Sequence, residues 1–278
     1  MSQLIDAVEA DRALKSKHRA MWSTGDYPAV ATEVIPATGP RLVEACGIHA
    51  GQRVLDVGAG SGNAAIPAAL TGAQVVASDL APALLEVGRQ QASSRGATLE
   101  WQEADAEALP YADGEFDVVM SCVGVMFAPH HQASADELVR VCRPGGTIGL
   151  LSWTPEGFIG QMFATMKPYA PPPPPGAQPP PLWGDEAHVR ELLGDRVTDV
   201  VARKEVLTVD RFASPTEMRD FFKRTYGPTI AAYRTIADDP ARTESLDREL
   251  VDLAERHFAA DQATMGWEYL LLTAVRAG

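Results

Sequence analysis

Cysteine is scarce in this chain, since only three cysteines occur among its 278 residues. They are Cys46, Cys122 and Cys142, and no two of them stand in a CxxC pair. Isolated cysteines of this kind are typically small buried hydrophobic residues in a reducing compartment. We therefore expect no disulfide framework, and a cytoplasmic location.

Long apolar runs are absent as well. No stretch approaches the roughly 20 apolar residues that a membrane-spanning helix needs. The N-terminal stretch MSQLIDAVEADRALKSKHRAMW interleaves acidic and basic residues and contains no apolar core of signal-peptide length. We therefore expect no membrane insertion.

Basic residues are in the minority. The chain has 24 Lys and Arg against 37 Asp and Glu, which gives a net charge of −13. An acidic surface repels phosphate backbones and anionic lipids, so nucleic acids and membrane surfaces are poor candidate partners. A small molecule is the expected partner, and the sequence leaves open whether the chain forms a homodimer.

The chain does contain a glycine-rich motif, VLDVGAGSGN, at residues 54–63. Gly58, Gly60 and Gly62 follow a short apolar run and let the backbone approach a ligand closely, because no Cβ intrudes. A dinucleotide motif has the different spacing G-x-G-x-x-G. Asp56, two residues before the first glycine, would also repel a pyrophosphate. The motif therefore favours a ligand that carries positive charge near this loop.

Strand-like and helix-like segments alternate after the N-terminal region. The predicted strands are RVLDV, AQVVASD, ATLEWQEAD, GEFDVVMSCV, TIGLLSW, VARKEVLTVDRF and WEYLLLTAVR. A helix is predicted between Pro82 and Gly96, and HQASADELVRVCRPGG is predicted as a helix with a Pro-Gly-Gly stop. This alternation predicts an α/β fold with a mostly parallel sheet and helices on both faces.

Four regions are predicted along the chain. Residues 1–48 form an N-terminal helical lid with two helices within residues 4–47, and residues 49–167 form the ligand-binding core. Residues 168–265 contain a Pro-rich connector, the sixth strand and a helical cap, and residues 266–278 form the final strand. The proline run YAPPPPPGAQPPPLWG favours polyproline II. It is interpreted as a stiff connector, with a PxxP ligand for another protein as the alternative.

Acidic residues follow the glycine motif at the ends of the next two strands. Asp79 ends the second strand, where a carboxylate can accept hydrogen bonds from ribose hydroxyls. Asp105 ends the third strand and is placed to accept a hydrogen bond from an exocyclic amine such as that of adenine. Together with Asp56, these residues predict a pocket for an adenosine that carries positive charge elsewhere.

These segments together resemble a known family. VLDVGAGSGN, the acid of VVASDL, EADAEALPYADGEFDVV and ELVRVCRPGGTIGLLSW resemble the class I S-adenosylmethionine-dependent methyltransferases, most of all the ubiquinone/menaquinone-biosynthesis type. The resemblance is close over roughly residues 50–155. It implies a Rossmann-like, seven-stranded sheet with an antiparallel last strand, S-adenosylmethionine as cofactor, and methyl transfer to a small molecule.

The resemblance also implies roles for particular residues. It assigns the methionine portion to Asp56 and the loop from Gly58 to Gly62, the ribose to Asp79 and the adenine to Asp105. The strand end Ser121–Val123 should line the methyl-donor site. The full set of expected cofactor-binding residues is Trp22, Tyr27, Asp56, Gly58, Ala59, Gly60, Gly62, Asp79, Leu80, Asp105, Ala106 and Cys122.

The acceptor is less constrained than the cofactor. Methyl transfer is an in-line displacement by an oxygen, nitrogen or carbon nucleophile, and a base is helpful rather than required. His130 and His131 follow the fourth strand and are candidates for that base, with helix capping or solvent exposure as the alternative. The other histidines show no metal-ligand spacing, so no metal is expected.

Aromatic residues are frequent in the segments expected to cover the site, where they suit a flat or apolar acceptor or form the core of the cap. They are Phe127, Trp153, Phe158, Trp183, Phe221, Phe222, Tyr226 and Tyr233.

Two other functions remain open from the sequence. One is a non-catalytic module that binds S-adenosylmethionine on the same fold, which would share the same cofactor residues. The other is a nicotinamide-dependent oxidoreductase, which the glycine spacing and the absence of a Tyr-x-x-x-Lys pair disfavour. An assay for methyl transfer distinguishes the non-catalytic module from an enzyme. Binding of NADH would indicate the oxidoreductase.

Overall fold

The computed structural model describes residues 2–174, 176–259 and 263–278, and for residues 2–10 it describes the backbone alone. Seven strands form a single sheet in the order β3-β2-β1-β4-β5-β7-β6. The strands are β1 (Arg53–Val57), β2 (Gln74–Asp79), β3 (Glu100–Glu103), β4 (Phe116–Cys122), β5 (Cys142–Trp153), β6 (Val197–Val209) and β7 (Met265–Arg276).

The first five strands are parallel, and β7 lies antiparallel between β5 and β6. The predicted seven-stranded, mostly parallel sheet with an antiparallel last strand is thus confirmed. The strand order reverses between β1 and β4, and in open α/β sheets such a switch point leaves a crevice at the carboxyl ends of the strands.

The central strands are apolar on both faces because helices cover both sides of the sheet. Val54, Leu55, Val118 and Val119 are fully buried, and Leu55 pairs with Val76 on one side and Val119 on the other. Continuous apolar runs of this kind are typical of buried parallel strands.

The α-helices are α1 (Ser2–Trp22), α2 (Tyr27–Ala29), α3 (Thr38–Ala45), α4 (Ala65–Leu70), α5 (Pro82–Ser94), α6 (His131–Val141), α7 (Phe158–Met166), α8 (Glu186–Leu193), α9 (Pro215–Thr225), α10 (Gly227–Thr235) and α11 (Pro240–His257). A π-helical turn (Val30–Val34) continues α2, and 3₁₀ turns lie at Val125–Phe127, Pro180–Gly184 and Gly194–Arg196. Within the described residues, no helix combines the length and apolarity needed to cross a membrane.

Two local predictions were wrong. The second predicted N-terminal helix is divided, because α2 and its π-helical turn end before α3 begins. The backbone at Ile35 leaves the helical region at φ −122° and ψ 33°. The helix α6 ends at Val141, and the Pro-Gly-Gly segment belongs to β5 rather than stopping the helix.

The Pro-rich connector packs against the core. The buried rings of Tyr169 and Trp183 lie near its two ends, and the Gln178 amide donates a hydrogen bond of 3.0 Å to the Pro129 carbonyl. The hydrogen bond places this part of the connector beside the loop that follows β4.

Candidate active site

A cleft lies where β1, β2, β3 and β4 end and where α1 crosses them; we call it the switch-point cleft. About 700 Å³ of non-atom space, part of it open solvent, lies within this cleft. Its lining residues are Lys15, His18, Trp22, Tyr27, Gly58, Gly60, Asp79, Leu80, Leu84, Ala104, Asp105, Ala106, Val123, Gly124, Phe127, Ala128 and Pro129.

The loops after β1 and β4 touch through their backbones at the floor of the cleft. A Cβ placed on Gly124 would lie 2.2 Å from the Gly58 carbonyl oxygen, and one on Gly58 would lie 2.8 Å from Gly124 Cα. Ser121 joins the same loops, since its hydroxyl donates to the Val57 carbonyl at 2.5 Å and accepts from the Val125 amide at 2.8 Å. Neither glycine can carry a side chain without separating the two loops.

Val123 has a strained backbone beside this contact. Its φ is +56°, a region that a β-branched residue rarely adopts and that costs about 1–3 kcal/mol. The Val123 amide donates to the Leu151 carbonyl at 2.8 Å, and its side chain is buried. Strain of this kind is concentrated at functional sites, where the surrounding structure enforces it.

Asp56 is buried at the end of β1, with 1% of its surface exposed. Neither carboxylate oxygen makes a hydrogen bond of ordinary geometry within the described residues. Burial raises the pKa of Asp56 to about 8; the nearby Ala65 amide opposes the shift, and Asp79 adds to it. An unpartnered buried carboxylate of this kind is suited to a cationic ligand group.

Asp79, at the end of β2, fixes the loop after β1. Its carboxylate accepts hydrogen bonds of 2.8 Å from the amides of Gly60 and Ala81. Burial raises the pKa of Asp79, while these backbone amides lower it. Since two oxygens offer about four lone-pair positions, the carboxylate can still accept hydrogen bonds from a ligand in the cleft.

Asp105 faces the cleft next to a lysine from the N-terminal helix. Lys15 Nζ lies 2.6 Å from Asp105 Oδ2 and 3.1 Å from Glu107 Oε2, while Asp105 Oδ1 accepts from the Glu107 amide at 2.9 Å. The ligand atoms of Asp11, Glu107 and His130 also fall within 4.8 Å of one another. The Lys15 ammonium already provides a positive charge to this cluster.

Aromatic rings form the other end of the cleft. The Trp22 ring centroid lies 5.3 Å from Tyr27, 4.6 Å from Phe127 and 6.0 Å from Tyr226. Tyr27 also covers the glycine loop, since a Cβ on Gly60 would lie 3.5 Å from its ring. Burial raises the pKa values of Tyr27 and Tyr226, so both phenols remain neutral hydrogen-bonding groups near neutral pH.

The structure brings most of the predicted cofactor residues to one cleft. The predicted residues that line it are Trp22, Tyr27, Gly58, Gly60, Asp79, Leu80, Asp105 and Ala106. Asp56, Ala59, Gly62 and Cys122 are absent from that lining. Gly62 instead lies against another side chain, since a Cβ there would lie 2.8 Å from the Trp101 ring.

The lining residues that sequence reasoning missed come mainly from α1 and from the loop after β4. Lys15 and His18 lie three residues apart, and the predicted Trp22 follows four residues after His18, which places all three on one face of a helix. That spacing was visible in the sequence, but it did not indicate what the face would cover.

The two candidate histidines have different environments. His130 is partly exposed beside the cleft, and its Nδ1 lies 3.0 Å from Glu107 Oε2. His131 is fully buried, with its Nδ1 3.0 Å from His188 Nε2 and its ring against Trp183. The cleft lining contains neither imidazole, although it reaches Pro129.

Most of the predicted roof aromatics belong to the core. Phe127 lines the cleft, and Tyr226 is packed beside Trp22. The others are buried at 8% exposure or less and pack within the cap or between the cap and the sheet; they are Trp153, Phe158, Trp183, Phe221, Phe222 and Tyr233.

The geometry as a whole suits a ligand with three different parts. The buried Asp56 and the bare glycine loop fit a cationic group carried close to the backbone, and Asp79 fits a pair of hydroxyls. Asp105 fits an amine on a ring, and the aromatic end provides an apolar surface for a second molecule. A displacement between two bound molecules needs this alignment and the exclusion of water.

Comparison with known protein families identifies a methyltransferase domain over residues 55–150. That range begins in β1 and ends in β5, so it contains the glycine loop, Asp79, Asp105 and the loop after β4. The match falls on the part of the chain that forms the floor of the cleft.

Similar proteins extend over more of the chain. An uncharacterized protein of Mycobacterium tuberculosis is 54% identical over 264 residues, which cover 95% of this chain and 96% of that protein. The demethylmenaquinone methyltransferase of Thermus thermophilus is 37% identical over 117 residues, or 41% of this chain and 53% of that protein.

A solved structure shares the fold. Phosphoethanolamine N-methyltransferase 2 of Haemonchus contortus, solved with S-adenosyl-L-methionine, has a TM-score of 0.53 at 17% sequence identity. The similarity covers 87% of this chain and 53% of that one.

Proposed function

The chain belongs to the class I S-adenosylmethionine-dependent methyltransferases, and we propose that the switch-point cleft binds S-adenosylmethionine for methyl transfer to a neutral, flat or apolar small molecule. The observation that carries this proposal is Asp56, a buried carboxylate whose oxygens have no hydrogen-bond partner within the described residues. Asp56 lies two residues before Gly58, which lines the cleft, so a ligand with a positively charged methionine portion would bring a cation close to this carboxyl group and favour its ionised form.

The residues at the strand ends fit this cofactor. Asp56 and the loop containing Gly58 and Gly60 would hold the methionine portion, where the absence of Cβ atoms leaves room for the ligand. Asp79 would accept the ribose hydroxyls, and Asp105 the adenine amine. When bound, the cofactor supplies a methyl group activated by a sulfonium.

The contribution of this chain to the reaction is alignment and the exclusion of water. Tyr27 and Trp22 cover the loop end of the cleft, and Phe127 provides an apolar wall for the acceptor. Well-oriented reactions can gain about 7–11 kcal/mol from such positioning. For a hydroxyl acceptor, we propose His130 as the base, because its ring lies beside the cleft and Glu107 orients Nδ1.

The acceptor is proposed to be neutral because the cleft end opposite Asp105 consists of aromatic rings. The phenols of Tyr27 and Tyr226 can hydrogen-bond to its polar group without carrying a charge. An oxygen, nitrogen or carbon nucleophile fits this environment. The net charge of −13 supports a small molecule rather than a nucleic acid.

The proposal also includes a cytoplasmic location. Its support is the state of the cysteines, because Cys46, Cys122 and Cys142 are all unpaired thiols, which suits a reducing compartment.

The cofactor assignment is tested by calorimetric titration with S-adenosylmethionine, S-adenosylhomocysteine and NADH. We expect micromolar binding of both adenosyl ligands and none of NADH. Asp79→Ala should weaken binding of the adenosyl ligands by about tenfold or more, because a charged hydrogen-bond acceptor is lost.

Asp113→Ala is the matched control, since Asp113 is an exposed carboxylate paired with Arg140 outside the cleft. Binding that is unchanged in Asp79→Ala would contradict the assignment. Binding of the adenosyl ligands without turnover across an acceptor screen would favour the non-catalytic module instead.

A further inference from the structure

Lys15 is the charged residue that α1 contributes to the cleft. Its ammonium contacts three carboxylates, at 2.8 Å from Asp11, 2.6 Å from Asp105 and 3.1 Å from Glu107. Only 17% of the Lys15 side chain is exposed. An ammonium has three N–H donors, so these contacts use all of them.

Asp105 is held from two sides as a result. Lys15 contacts Oδ2, and the Glu107 amide donates to Oδ1. Each oxygen keeps a second lone-pair position, so the carboxylate can accept a further hydrogen bond from a ligand. An ionised carboxylate only accepts hydrogen bonds and has no proton to donate.

The surroundings of Lys15 stabilise its charged form. Burial by itself would lower the pKa of Lys15, but the hydrogen bonds to Asp105, Asp11 and Glu107 outweigh burial and raise it. Lys15 therefore remains charged over the range of pH in which enzymes work, and it balances part of the negative charge around it.

We propose that Lys15 is a specificity-determining residue, which positions Asp105 as an ionised acceptor and thereby makes the site select a 6-aminopurine over a 6-oxopurine. This inference rests on the proposed binding of an adenosyl ligand. The 6-amino group of adenine donates a hydrogen bond to such a carboxylate. The 6-oxo group of hypoxanthine presents lone pairs to it and is repelled.

Removal of the ammonium changes this balance. In Lys15→Met, Asp105 would lose the contact that holds Oδ2 and would keep only the Glu107 amide on Oδ1. The carboxylates of Asp11, Asp105 and Glu107 would also repel one another more strongly, because the ammonium no longer lies between them. An Asp105 carboxylate held from one side is free to turn away from the ligand, so the preference for the amine decreases.

The test compares the affinities of S-adenosylhomocysteine and S-inosylhomocysteine by calorimetry. For the wild-type protein we expect the adenosyl ligand to bind more tightly by about tenfold or more, as charged hydrogen bonds typically allow. In Lys15→Met this ratio should fall by about tenfold. Lys15→Arg, which restores the charge, should recover most of it.

Arg19→Met is the matched control. Arg19 lies one turn further along α1 and pairs with Glu103 at the end of β3, but it does not line the cleft. This variant also loses one positive charge and one ion pair of α1. Its ratio of affinities for the adenosyl and inosyl ligands should equal that of the wild type.

Two results would overturn the inference. In the first, Lys15→Met keeps the wild-type ratio of affinities; if it also weakens both ligands equally, Lys15 only holds α1 in place. In the second, the ratio falls as far in Arg19→Met as in Lys15→Met. Failure of the wild-type protein to bind either ligand would instead remove the proposed function, and this inference with it.

Discussion

At the scale of single residues, Asp56 combines a cost in stability with the binding role proposed for it. It is a carboxylate that is 1% exposed, and burial raises its pKa to about 8. The folded protein therefore holds a proton on Asp56 that the unfolded chain releases above its ordinary pKa, near 4. Stability is lost as the pH rises from about 4 to 8.

Asp56→Asn should separate these two effects. Asparagine carries no charge, so we expect the unliganded variant to be more stable than the wild type by about 1 kcal/mol or more at pH 7. It should bind S-adenosylmethionine more weakly by about tenfold or more, because the ligand cation favours release of the Asp56 proton and asparagine cannot become a charged partner. Thermal denaturation and calorimetry at pH 7 measure the two quantities.

The same measurement at pH 5 is the internal control for Asp56→Asn. At pH 5 an unfolded Asp is still mostly ionised, but the free-energy cost of taking up a proton on folding is smaller than at pH 7. The stability that Asp56→Asn gains over the wild type should therefore be smaller at pH 5. A gain independent of pH would show that Asp56 is not held protonated in the folded state.

Gly124 is a residue at which a steric clash alone determines the effect of a substitution. Its φ of −101° is open to any residue, but a Cβ would lie 2.2 Å from the Gly58 carbonyl oxygen. Gly124→Ala should therefore destabilise the protein by about 2 kcal/mol or more and abolish cofactor binding, because the two loops must separate. Chemical denaturation and calorimetry test this.

Gly47→Ala is the control for that experiment. Gly47 has a φ of +62° and no atom within 4 Å of an added Cβ, so alanine there meets backbone strain without a clash. It should cost about 1 kcal/mol and leave binding unchanged. Loss of binding in both variants would show that general destabilisation, rather than loop separation, is responsible.

At the scale of secondary-structure elements, a pair of histidines joins α6 to α8. His131 Nδ1 and His188 Nε2 are 3.0 Å apart, and the His131 ring also packs on Trp183 from the turn at the end of the Pro-rich connector. Burial, helped by the neighbouring His188 and partly opposed by Glu107, lowers the pKa of His131 to about 4.

Acid should therefore loosen this junction. Between pH 6.5 and about 4, the unfolded chain binds a proton on His131 that the folded protein does not, so stability falls as the pH falls through this range. His131→Leu removes that proton. The melting temperature of His131→Leu should therefore decrease less steeply with falling pH than that of the wild type. At pH 4.5 the variant should have lost less unfolding free energy than the wild type, by about 1 kcal/mol or more.

His49→Leu is the matched variant for the acid titration, since His49 is exposed on the surface. It should follow the wild-type curve. A His131→Leu curve parallel to that of the wild type would contradict the idea that burial keeps His131 neutral.

At the scale of the whole molecule, the ligand-binding core could be predicted because the sequence motifs that indicate it are local. The apolar strand RVLDV, the bare glycines after it and the acid ending each following strand are readable in order along the chain. Parallel strands bring their carboxyl ends to one edge, so Asp79 and Asp105 had to lie near the same cleft.

Contacts between distant segments were less predictable. Lys15 and Asp105 are 90 positions apart in sequence, and nothing in the charge pattern of α1 indicates which carboxylates it will contact. The division between α2 and α3 depends likewise on tertiary contacts, including the Asn63 amide that donates to the Ile35 carbonyl. The burial of His131 is decided by Trp183, which approaches from another segment.

The position of β7 has a consequence for how the chain is completed during synthesis. β7 pairs with both β5 and β6, yet the ribosome makes it after both of them. Until Met265 and the residues after it have emerged, β5 lacks one neighbour and β6 lacks any neighbour in the sheet. β6 and the facing edge of β5 therefore stay unpaired in the sheet until β7 is made, and an open strand edge of this kind exposes a nascent chain to wrong pairing.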